Sequence, residues 1–97
     1  MQIEVRFFTV LREVTRKKEE ILKFPDHEKV TLENVLDKLS KKYGTPFTEY
    51  VYDGKTKEVK TFLQFFVNGQ SASALKGKSS KLRNSDVIAI VPPVGGG

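Results

Sequence analysis

Few residues in this chain could do chemistry, and the most suggestive ones stand at its end: Val94-Gly95-Gly96-Gly97. There is no cysteine, which removes a thiolate nucleophile, a disulfide framework and a cysteine-ligated zinc or iron–sulfur site. One histidine, His27, leaves no multi-histidine metal site and little room for a Ser–His–Asp triad, and it reads as a solvated loop residue. The serines Ser71, Ser73, Ser79, Ser80 and Ser85 read as turn and cap residues rather than nucleophiles. What remains is a carboxylate carried by Gly97 behind two further glycines. Glycine lacks Cβ, so such a segment can enter a narrow slot and adopt dihedrals other residues avoid. From Val94 to Gly97 it reaches at most ~14 Å. A partner's reactive centre that deep below the domain's surface is within its reach. Three terminal glycines alone would read as a frayed end. Here they follow an apolar run, Val87–Val91, and the stop Pro92-Pro93 with no linker between.

The elements that must hold this tail come from a chain of 97 residues, the size of one domain with a modest core. A division into a domain over residues 1–92 and a flexible tail over 93–97 is expected. The apolar runs are far too short to span a membrane, and the alternating start Gln2-Ile3-Glu4-Val5-Arg6 does not resemble a signal peptide. A cytoplasmic protein is expected, with no membrane partner. The 17 Lys and Arg exceed the 12 Asp and Glu, giving a formal net charge of +5. The two signs are interleaved and no aromatic RNA-binding motif is visible, so nucleic acid is not an expected partner. Lys76, Lys78, Lys81 and Arg83 form a local basic patch suited to steering an acidic partner.

Residues 2–8 alternate as a half-buried strand, with Ile3, Val5 and Phe7 on one face. A polar turn is expected over 12–18, then a returning strand over 19–24 closed by Pro25. Residues 31–43 carry one helical stripe: Leu32, Val35, Leu36, Leu39 and Tyr43. Thr31 suits the N-cap and Gly44 the stop. Residues 47–52 fit either a short helical turn or an extended piece, and 55–60 a loop. A third strand is expected over 62–67, a two-residue hairpin at Asn68-Gly69, a short strand over 70–72, and a last strand at Val87–Val91. Leu75 and Leu82 should plug the core from an irregular segment. The inward set adds Leu22, Phe24, Leu63, Phe65, Val67, Ile88 and Ile90. One amphipathic helix needs one sheet face to cover it, so the expected class is α+β, a mixed sheet of four to five strands wrapped on one main helix. Parity sends Phe8, Phe66, Ala89 and Val91 outward, and adjacent terminal strands would gather them into an apolar partner interface beside the tail.

The ending Asp86-Val-Ile-Ala-Ile-Val91-Pro92-Pro93-Val94-Gly95-Gly96-Gly97 resembles that of the MoaD/ThiS family, as do Phe7-Phe8 with Leu11-Arg12-Glu13 and Val67-Asn68-Gly69. The resemblance covers nearly the whole chain and implies the β-grasp, ubiquitin-like fold. It also implies a role. An E1-like adenylating enzyme (MoeB-like) would use ATP to adenylate Gly97, and a sulfur donor would convert the acyl-adenylate to a thiocarboxylate. No bound cofactor is implied beyond those transient modifications. The large subunit of molybdopterin synthase (MoaE-like) would hold the catalytic side chains. This chain would be its non-catalytic small subunit, a sulfur carrier in molybdenum or tungsten cofactor biosynthesis, with Pro93, Val94, Gly95 and Gly96 as the segment the partners bind. Relatives of the same kind include small archaeal modifier proteins, so conjugation of Gly97 to lysines, or sulfur delivery to transfer RNA, stands beside that reading.

Overall fold

The structure, a computed structural model, describes residues 1–72 and 77–93. Its centre is a five-stranded mixed sheet in the order β2-β1-β5-β3-β4. β1 (Gln2–Phe7) pairs antiparallel with β2 (Glu19–Lys23) on one side and parallel with β5 (Val87–Val91) on the other. The alternation of β1 explains its place: Ile3, Val5 and Phe7 are fully buried while Gln2 and Arg6 face solvent. β5 runs between β1 and β3 (Gln64–Val67), so the strand that leads to the C-terminus has a partner on both edges. β3 starts at Gln64, two residues later than the aromatic run suggests, and turns into β4 (Gln70–Ser71) through Asn68 and Gly69. Both turn residues have positive φ, 50° and 83°, as a type I′ hairpin turn requires. Asn68 does more than turn. Its side chain accepts from the Val87 N–H at 2.8 Å and donates to Asp86 at 2.9 Å, which fixes the entry of β5.

One long helix, α2 (Leu32–Tyr43), covers the inner sheet face. Thr31 and Asn34 cap it reciprocally: the Asn34 N–H donates to the Thr31 hydroxyl oxygen and the Thr31 N–H to the Asn34 side chain. Leu32, Val35, Leu36 and Leu39 are buried along its stripe. At Gly44, with φ 71°, the chain leaves the helix, and the Gly44 N–H still donates to Ser40 O at 2.8 Å. Pro46, which ends α2, also opens α3 (Thr45–Val51), because a proline in the first helical turn lacks only an N–H that would be unpaired anyway. The segment that the sequence left between helix and extended chain is therefore helical, and it buries Phe47 and Val51.

The polar turn expected over 12–18 is corrected. Val10–Thr15 forms a short helix, α1, whose charged residues point outward while Leu11 is fully buried. The Thr15 hydroxyl donates to Leu11 O, and Arg16, with φ 61°, reverses the chain into β2. Beyond the expected inward set, the core takes in Leu11, Val30, Phe47, Val51 and Ala72. Leu82 is buried as expected, Phe24 and Phe65 are only partly buried, and Leu75 lies outside the described residues.

One buried charge ties β2 to α2. Glu20 points inward and receives Lys17 Nζ at 2.7 Å and the Tyr43 hydroxyl at 2.6 Å on one oxygen. Lys42 Nζ lies 2.9 Å from the other as an ion pair. Burial pushes this carboxyl up, but the donors Lys17 and Tyr43 and the Lys42 ammonium outweigh it, and the net shift is downward. The same contact and burial push the Tyr43 phenol up. A lowered folded-state value means the network stabilises at neutral pH and loses its contribution as the pH falls through that value. Glu20→Gln should therefore cost about 1–2 kcal/mol at pH 7, because both lysines stay half-exposed and leave no stranded buried charge. Thermal unfolding followed against pH should show that gap closing in acid.

Candidate functional site

The candidate site lies at the carboxyl end of β5. Val91 makes the last described ladder pair, with Gln64. Pro92 is buried and Pro93 exposed, and neither can donate to a strand, so pairing stops there. Val94, Gly95, Gly96 and Gly97 lie outside the described residues.

The outer face of the sheet brings the four expected interface residues together. Ala89 sits between Arg6 of β1 and Phe66 of β3 in one cross-strand row. Val91 is two residues further on the same face. The Phe7–Ile90 pairing brings Phe8, one residue past β1, level with Val91. Phe8, Phe66, Ala89 and Val91 are all half-buried, so their outer surfaces form an apolar strip leading to the tail. Arg12 of α1 binds this strip from the side. Its Nε donates to Phe7 O at 2.9 Å and its guanidinium lies 5.4 Å from the centre of the Phe8 ring. It thus holds the turn after β1 and fixes one wall of the strip together.

Sequence reasoning missed Phe62. It is 45% exposed, its ring centre is 6.1 Å from that of Tyr50, and Lys60 Nζ lies 5.7 Å from it. It sits in the turn before β3, closed by the Leu63 N–H donating to Lys60 O at 3.2 Å. The strand expected from residue 62 hid it: parity along that run does not reach a residue in the turn.

The inner side of β3 opens into a groove of about 580 Å³ against α2, lined by Leu36, Val59, Leu63, Phe65 and other mainly apolar residues. It holds no titratable side chain among the described residues. No group of His, Asp and Glu able to hold a metal occurs among the described residues either. His27 is exposed in the turn after β2. Of the basic patch, Lys81 and Arg83 are exposed, while Lys76 and the Lys78 side chain are outside the described residues. The described part of the site is thus an apolar strip flanked by Arg6 and Arg12 at the point where β5 ends.

Known proteins resemble this chain in sequence and in fold. The ThiS family model matches residues 5–97. Small archaeal modifier protein 3 of Haloferax volcanii is 32% identical over 97 residues, the full length of both chains. A candidate sulfur carrier protein of Archaeoglobus fulgidus is 33% identical over 73 residues, 74% of this chain and 80% of its own. The crystal structure of small archaeal modifier protein 1 from Haloferax volcanii superposes with a TM-score of 0.85 over 100% of both chains at 22% identity, a likeness of fold. The order of strands around a parallel β1–β5 pair is that of the ubiquitin-like β-grasp. With the family match running through the tail itself, this chain belongs to the ThiS family, whose β-grasp domains serve as sulfur carriers or ubiquitin-like modifiers.

Proposed function

We propose that this chain is a sulfur carrier whose Gly97 carboxylate is adenylated and then converted to a thiocarboxylate, and that it delivers this sulfur to a pterin in molybdopterin biosynthesis. The observation that carries the reading is the placement of the apolar strip Phe8, Phe66, Ala89 and Val91 beside the exit of the tail. A partner gripping that strip would take up the chain end in its own active site. In the first step the carboxylate oxygen attacks the α-phosphorus of ATP and pyrophosphate leaves. In the second, hydrosulfide attacks the acyl carbon and AMP leaves with the carboxylate oxygen, so a C–S bond replaces the C–O bond to the phosphate and the thiocarboxylate remains. The first partner is an E1-like adenylating enzyme of the MoeB type; the second is a molybdopterin synthase large subunit of the MoaE type. The carrier contributes docking area, reach and a consumed sulfur, which agrees with the lack of cysteine in the chain.

A second reading is favoured by the full-length match to a small archaeal modifier protein: conjugation of Gly97 to lysines of other proteins. Both readings share the adenylate, and they differ in the nucleophile that displaces AMP. Intact mass of the protein purified from its native host separates them. A gain equal to exchanging one oxygen for sulfur at the C-terminus is the expected result. Conjugates of higher mass without that species would replace the carrier reading by the modifier one.

A further inference from the structure

β2 is an edge of the sheet, and its free side differs from the rest of the surface. The bonds Phe24 N–H to Met1 O and Phe7 N–H to Lys18 O bracket the β1–β2 ladder. Antiparallel alternation then assigns Ile3–Leu22 and Val5–Glu20 as the bonded pairs between them. The N–H and C=O groups of Glu19, Ile21 and Lys23 consequently point away from β1. The structure bears this out at one of them: Lys38 Nζ of α2 donates to Lys23 O. Ile21 is 50% exposed on the outer face of the same strand.

The flank of this edge is basic. Lys38 and Lys42 lie one helical turn apart on the side of α2 that meets β2, Lys38 also resting 4.6 Å from the Phe24 ring centre. Lys17 and Lys42 share the single carboxylate of Glu20, so one positive charge is left over there. Glu33 and Asp37 do not line this edge, because at 3.6 residues per turn they lie about 100–180° around α2 from Lys38 and Lys42. A second copy of this chain, with its net charge of +5 and the same lysines, is a poor match for such an edge.

We propose that β2 accepts an extended acidic segment of a partner protein as a sixth strand, at a place distinct from the tail-side strip. Parity sets the pattern of that segment. Side chains level with Ile21 join the outer face and should be apolar. Those level with Glu20 and Leu22 turn toward Lys38 and Lys42 and should be acidic. Backbone pairing supplies the binding energy and the alternation supplies the selection.

The test titrates the full-length chain with a capped nine-residue peptide of alternating valine and glutamate, followed by calorimetry and backbone amide NMR. The expected result is binding at least tenfold tighter than that of the valine–lysine peptide, weakened by salt, with the Glu19, Ile21 and Lys23 amides shifted and slowed in hydrogen exchange. Ile21→Pro removes an outward N–H without removing a ladder bond, and it should abolish binding. A peptide N-methylated at alternate amides should fail in the same way and does not touch the protein fold. Lys38→Glu should weaken binding at least fivefold. Equal binding of the N-methylated peptide, shifts centred on Phe66 and Ala89 instead of β2, self-association through Ile21 in place of peptide binding, or no binding at millimolar peptide would each overturn the proposal.

Discussion

Deleting Gly96 and Gly97 should leave the thermal unfolding midpoint unchanged and reduce ATP–pyrophosphate exchange with the adenylating enzyme at least ~100-fold. The first half follows from composition: Gly96 and Gly97 carry no side chain that could add buried apolar area. The second half follows from reach. Two residues shorten an extended tail by about 7 Å, and a misplacement of about 1 Å in a reacting group can cost two orders of magnitude. Gly97→Ala is the matching control: it keeps the carboxylate at its position and adds one Cβ. If its loss is small while the deletion is severe, distance is the controlling term. If the deletion retains exchange activity, the chemical role of the tail is wrong, and with it both the carrier and the modifier readings.

Much of the scaffold behind this tail is legible in the sequence, because its main elements each bury one face. β1 and β5 alternate cleanly, and α2 has both its stripe and its caps, so Ile3, Val35 and Ile88 can be assigned inward without coordinates. The short helices are where the sequence misleads. α1 anchors through Leu11 among charged neighbours, too little periodicity to separate a helix from a turn. In α3, Pro46 signals the end of one helix and the start of the next with the same residue. The outward strip was readable from parity once β1 and β5 were taken as neighbours, yet Phe62 escaped because the run 62–67 reads as one strand while its first two residues belong to a turn. Charge was harder still. Along the chain the lysines look evenly spread, and only the packing of α2 on β2 collects Lys17, Lys38 and Lys42 along one edge.

Phe8→Asp should weaken the complex with the adenylating enzyme, or with the large subunit, by at least ~30-fold while the domain stays folded. Phe8 is half-buried, outside the β1 ladder and absent from the core, so the fold depends little on it. Its value lies in area: an aromatic ring level with Val91 and held under Arg12 is a preformed anchor whose ordering cost is already met. Aspartate would remove that area and place a charge where the partner's apolar surface must close. It would also draw Arg12 into an ion pair, which masks part of the charge, so the variant must be read beside two others. Phe8→Leu keeps most of the apolar area and should lose no more than ~10-fold. Arg12→Ala frees the ring and exposes Phe7 O but leaves the strip in place, and should have a smaller effect than Phe8→Asp. If Phe8→Asp binds as tightly as the parent chain with an unchanged unfolding midpoint, the outer face is not the docking surface.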